Sequence, residues 1–194
     1  MATTALVAFA ALALLDWVAV ATDQRPLEYF AKPATLSALI VWAATGEHAS
    51  TSLLLALGFS LLGDVCLMFP ARLFLAGVGA FFLGHVAYIV RFAAPLTALP
   101  LPLGVGVLIG PRVVRAVREP RLRVAIIIYM LVLSTMLAAA IGSRMLPAIA
   151  GALLFFASDT MIAWSKFVQP FPGARLAIIV TYHVGQWALT AALR

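Results

Sequence analysis

STSLLLALGFSLLGDVCLMF, residues 50–69, decides the fold. These 20 residues carry one charged side chain, Asp64. As an α-helix they span about 30 Å, the thickness of a bilayer's hydrocarbon core. Apolar residues run on without the two-residue alternation of a membrane β-barrel, so a helix is predicted. The stretch ends at Pro70, which cannot continue a helix from within.

Working outward, charges and turn residues cut the rest of the chain into similar pieces. A first span is predicted from Thr3 to Ala21, before Asp23-Gln24-Arg25-Pro26. Ala19-Val20-Ala21 resembles a signal cleavage site, but no Lys or Arg precedes the apolar stretch and Asp16 lies within it, so the segment reads as a retained span. Pro33 to Gly46 is too short to cross. The second span reaches membrane length only by starting near Leu27, which draws Lys32 below the surface. Further spans lie between Arg72 and Arg91, over Ala93 to Gly110 with a start delayed by Pro95, Pro100 and Pro102, between Arg123 and Arg144, between Arg144 and Lys166, and between Arg175 and Arg194. The expectation is all-α: one integral membrane domain over residues 1–194, a polytopic bundle of about eight helices.

Composition excludes the soluble alternatives. Of 194 residues, 64% are hydrophobic and 10% charged, with a mean hydropathy of +1.10, more apolar surface than a water-soluble domain of this size can bury. The net charge of +6 does not point to nucleic acid, because the basic residues punctuate apolar runs instead of forming a patch. Loops after the odd-numbered spans hold Arg25, Lys32, Arg72, Arg112, Arg115, Arg118, Arg121, Arg123, Lys166 and Arg175, and the other side holds Arg91, Arg144 and Arg194. That asymmetry puts the first side in the cytoplasm, of an inner membrane in a bacterium, and both termini outside. Arg112, Arg115 and Arg118 read as an anchor on anionic membrane lipids. The single Cys66 reads as an inert buried thiol.

Chemistry is expected from ionisable side chains at membrane depth, which are costly and mark function by default. Asp16, Asp64 and Asp159 lie late in their spans and Lys32 early in its own. Because adjacent spans are antiparallel, all four gather toward one membrane face. His85 and His183 fall deeper, past mid-span from it. Such a cluster suits a lipid headgroup pocket. Helical phase adds Lys166 seven residues after Asp159 as an ion-pair partner, Ser60 beside Asp64, Tyr88 beside His85, and Gln186 beside His183 and Tyr182. Gly77, Phe81, Gly84 and Tyr88 form a stripe that lets another helix approach. Gly63-Asp64 followed by His85, and Ser158-Asp159 followed by His183, suggest two parallel four-helix repeats. No His-x-x-x-His or Glu-x-x-His spacing places two metal ligands on one helical face, so no metal or other cofactor is expected. The four tryptophans suggest no chemistry.

Several segments resemble the lysoplasmalogenase family, the YhhN-like integral membrane proteins. They are Lys32-Pro33, Ser60-Leu61-Leu62-Gly63-Asp64, Phe81 to Tyr88, Gly151 to Phe156 with Ser158-Asp159, and Thr181-Tyr182-His183 with Gln186. The resemblance implies hydrolysis of a lysoplasmalogen's vinyl ether bond to a fatty aldehyde and a glycerophospho-alcohol, the lysophospholipid being the partner. Vinyl ether hydrolysis is acid-catalysed. It needs a carboxylic acid that keeps its proton, as burial in low dielectric promotes, and a second carboxylate to stabilise the cation. Asp64 and Asp159 are the expected pair, either being the acid. His85 and His183 assist, while Lys32, Lys166, Tyr182, Gln186, Tyr88 and Asp16 are expected to bind substrate. The alternative is a secondary transporter or proton-coupled channel using the same Asp, Lys and His residues. The sequence sets no oligomeric state.

Overall fold

The computed structural model describes residues 2–194 and shows eight α-helices and, among those residues, no strand. They are α1 (Ala2–Ala21), α2 (Arg25–Ala44), α3 (Thr51–Met68), α4 (Pro70–Phe92), α5 (Pro100–Ala116), α6 (Pro120–Gly142), α7 (Leu146–Ala163) and α8 (Ala174–Leu193). A π-helical turn, Trp164–Val168, extends α7.

Local chemistry explains the breaks. Pro26, Pro70, Pro100 and Pro120 sit in first turns, where a missing N–H costs nothing. Ser50 caps α3 by accepting from the Leu53 N–H at 3.3 Å, and the Glu119 carboxylate caps α6. As its charge requires, α2 starts at Arg25, which carries Lys32 into the second turn. The expected span between Arg72 and Arg91 is longer than predicted: both arginines lie within α4, and Arg91 donates to the last carbonyls of α8, at Leu193 O, over 2.6 Å. The expected span from Ala93 begins only at Pro100: Pro95 lies in the non-helical stretch 93–99, Pro100 and Pro102 sit in the first turn of α5, and the helix runs on to Ala116.

Six helices are long and apolar enough to cross a membrane. The exceptions are α2, whose first turns carry Arg25, Glu28 and Lys32, and α5, which is 17 residues long. The bundle is polar inside and apolar outside. Asp16, Asp64, His85, His183, Gln186 and Thr190 are buried, while Val107, Leu108 and Leu146 are more than 70% exposed. Only a lipid environment makes that arrangement favourable.

Helices pair as sequential hairpins, with α3 tight on α4 and α7 tight on α8. Small residues set the approach. A Cβ on Gly84 would lie 3.1 Å from the Ala56 carbonyl of α3, and one on Gly151 would lie 2.7 Å from the Leu189 nitrogen of α8. The glycine stripe of α4 therefore meets α3 as expected. By contrast, α5 packs mainly on α6 and on the π turn, leaving a gap between α4, α5, α6 and α7.

Candidate active site

That gap is an apolar groove lined by Val78 and Phe81 of α4, Gly106 and Ile109 of α5, Met130 and Leu133 of α6 and Phe156 of α7. Its polar wall is made by Tyr129 and Asp159. The Tyr129 hydroxyl donates to Asp159 Oδ2, and His85 Nε2 lies 3.5 Å from the same oxygen. His85 Nδ1 is 2.6 Å from the Phe81 carbonyl oxygen. A carbonyl only accepts, so Nδ1 carries a proton, and Nε2 is the ring nitrogen that faces the carboxyl.

A second, polar cavity lies against the groove and shares Leu67, Phe74 and Ile162 with it. Glu28, Lys32, Ser165, Lys166 and Arg175 line this mouth. Lys32 Nζ reaches Asp64 Oδ1 at 3.2 Å, and the Tyr182 hydroxyl donates to Asp64 Oδ2 at 2.8 Å. The chain of contacts continues inward: Gln186 Nε2 donates to the Tyr182 oxygen at 3.4 Å, and Tyr88 donates to Gln186 Oε1 at 2.6 Å. The two carboxylates thus belong to separate networks, with Phe81, Phe155 and Tyr182 stacked edge-to-face among them.

The third carboxylate has different company. Asp16 Oδ2 is 3.8 Å from His183 Nε2, and Asp16 lines neither cavity. Trp17 Nε1 donates to His183 Nδ1 at 3.1 Å, so here the proton sits on Nε2, opposite to His85.

Several sequence expectations need correction. Lys166 does not pair with Asp159; its Nζ lies 4.1 Å over the Phe74 ring, because the π turn rotates it off the aspartate's face. The Ser60 hydroxyl does not reach Asp64 but donates back to the Ala56 carbonyl at 2.8 Å. Each imidazole stands within 4 Å of one carboxyl, His85 by Asp159 and His183 by Asp16. Tyr88 and Gln186 meet each other, away from both cavities. Two residues were missed. Trp17 holds His183, and Tyr129 holds Asp159. Only Tyr129 left a signal, as the one aromatic hydroxyl in the apolar run of α6. Among the described residues no group of three or more His, Cys, Asp or Glu side chains is arranged to hold a metal ion.

The YhhN family model matches residues 27–193, from Lys32 through Gln186. The chain belongs to the YhhN family. Among YhhN relatives, human lysoplasmalogenase TMEM86B is 35% identical over 170 residues, covering 84% of this chain and 73% of that protein. The rat lysoplasmalogenase TMEM86B is 33% identical over 175 residues, covering 84% and 71%. An uncharacterised membrane protein YhhN from Escherichia coli O157:H7 is 29% identical over 202 residues, covering 95% and 97%. No solved structure matches. Kinship with lysoplasmalogenases supports an enzyme, a lipid hydrolase, and the apolar helices make it a multi-pass integral membrane protein.

Proposed function

We propose that this protein hydrolyses the vinyl ether bond of lysoplasmalogens, with Asp159 as the acid. The observation that carries the reading is a carboxyl flanked by a phenol and an imidazole on the wall of an apolar groove, which adjoins a cation-bearing mouth. A single-chain lipid fits that division. Its alkenyl chain occupies the groove, its phosphate meets Lys32 and Lys166, and the bond between them falls beside Asp159.

The Asp159 carboxylic acid gives its proton to the β-carbon of the vinyl ether, and the double-bond electrons form the new C–H bond. The positive charge left on the α-carbon and ether oxygen is stabilised by the Asp159 carboxylate and the neighbouring aromatic rings. Water attacks the α-carbon and returns a proton to Asp159, with the His85 Nε2 lone pair as a second acceptor. The hemiacetal hydroxyl proton then passes to the departing glycerol oxygen, giving aldehyde and glycerophospho-alcohol. Tyr129 keeps the carboxyl aimed. Asp64 works at one remove, holding Lys32 at the mouth and adding negative potential across the aromatic layer. His183 and Asp16 position α8 through Trp17.

The test is aldehyde release from a lysoplasmalogen by detergent-purified protein. Release by the parent and not by Asp159→Asn supports the reading. A well-folded parent that releases none overturns it, and sealed-vesicle transport assays then become the next measurement.

A further inference from the structure

The π turn that closes α7 packs its apolar side chains, Phe167 and Val168, against the cluster of Val113, Val117 and Ile126. It places two consecutive polar side chains, Ser165 and Lys166, at the mouth. The Ser165 hydroxyl is buried there with no hydrogen-bond partner, and a buried hydroxyl left unpaired is costly. Lys166 pairs with no carboxylate among the described residues and rests on the Phe74 ring, at the neck between mouth and groove. Across the mouth stands Lys32. A serine and two lysines in the lining of one cavity, beside Arg175 and Glu28, supply the donors a phosphate oxyanion takes once Lys32 turns from Asp64 and Lys166 from Phe74. π turns recur at functional sites because they trade a regular helical bond for a re-aimed side chain.

The turn also stands at a fixed distance from the acid. Six to seven residues separate Asp159 from Ser165 and Lys166, about 9–10.5 Å along a regular α-helix axis, a length the wider π turn shortens. In a glycerophospholipid with its vinyl ether on the terminal carbon, phosphorus and β-carbon are about seven bonds apart, roughly 9 Å when extended.

We propose that the π turn is the phosphate subsite of this enzyme, with Ser165 Oγ and Lys166 Nζ as its donors alongside Lys32, and that it selects lipids whose phosphate lies one glycerol from the bond being cut. The proposal rests on the vinyl ether reading for its kinetics but not for its binding. Lys166 leaves the Phe74 ring when phosphate arrives, opening the neck for the chain.

The experiment compares a lysoplasmalogen with the matching 1-alkenylglycerol, which lacks phosphate, in the parent and in Ser165→Ala, Lys166→Gln and Lys166→Arg. The preference for the phosphate-bearing substrate, read as a ratio of kcat/KM values, is expected to fall about tenfold in the first two, through KM, and to be largely kept in Lys166→Arg. Glycerophosphoethanolamine is expected to compete with substrate and to weaken in the same variants, whereas competition by inorganic phosphate alone would mean a free-anion site and overturn the lipid assignment. An unchanged ratio, or equal losses on both substrates, overturns the proposal. Should no protein release aldehyde, binding of a saturated alkyl-ether lysophospholipid decides: weaker binding in Ser165→Ala and Lys166→Gln keeps the subsite while the reaction falls, and equal binding removes it.

Discussion

Asp159 and Asp64 share a residue type and a depth, but their partners assign them different work. Under the proposed reading Asp159 is the acid, facing the groove between the Tyr129 hydroxyl and His85 Nε2. Asp64 is saturated by Lys32 and Tyr182 and lines neither cavity. Asp159→Asn is therefore expected to cut kcat about 10²–10⁴-fold, the usual worth of a general acid. Tyr129→Phe should cost about tenfold while leaving KM in place. In Asp64→Asn the larger effect should fall on KM, because the mutation loosens Lys32. Steady-state aldehyde kinetics separates the three; a kcat defect of equal size in both aspartate variants would make them a single acid–base pair instead. Trp17 supplies a fourth case. Trp17→Phe strands His183 Nδ1 in the core and should cost about 1–3 kcal/mol in thermal stability, measured by melting in detergent.

At the scale of the helix, sequence reading worked where a large energy acted on a single residue. Lys and Arg are too costly to leave at mid-membrane, and Pro favours a first turn over a helix interior, so Asp23-Gln24-Arg25-Pro26 and Pro70 divide the spans plainly, although α4 and α6 start earlier than the charges predict, at Pro70 and Pro120. The same reasoning explains Lys32, whose depth follows from the length that α2 must reach. It failed where the outcome depended on partners far along the chain. Trp17 meets His183 across 166 residues and Tyr129 meets Asp159 across 30, and no local spacing encodes either. It failed again at Lys166, where seven residues of ideal helix would have faced Asp159 but a π turn intervened. The packing of α7 on α8 yields a prediction of its own. At Gly151 a side chain would meet the Leu189 nitrogen at 2.7 Å and the Gly185 oxygen at 2.8 Å, all of it backbone that cannot move aside. Gly151→Val should push α8 away, carrying Tyr182 off Asp64, and destabilise by about 1–3 kcal/mol or more. Gly104→Val, on the loosely packed α5 where a Cβ meets nothing within 4 Å, should melt like the parent.

For the whole molecule, the placement of the mouth sets where each product goes. The mouth gathers the end of α3, the starts of α2, α4 and α8, and the π turn, all on the membrane face that carries most of the Lys and Arg residues. The positive-inside rule predicts a cytoplasmic position for that face. Under the proposed reaction and this predicted orientation, water and the glycerophospho-alcohol would pass through a cytoplasmic opening, and the aldehyde would stay in the apolar groove beside α5. This makes the orientation testable without turnover. The only native cysteine, Cys66, is buried and should resist a membrane-impermeant maleimide, so introduced cysteines report alone. Gln169, in the loop between the π turn and α8, and Glu47, in the loop after α2, are both exposed and lie at opposite ends of the bundle. Gln169→Cys should label in inside-out vesicles and Glu47→Cys in right-side-out ones. The reverse pattern would place the mouth on the outer face, and a lysolipid supplied from outside would then reach Lys32 and Lys166 without first crossing the membrane.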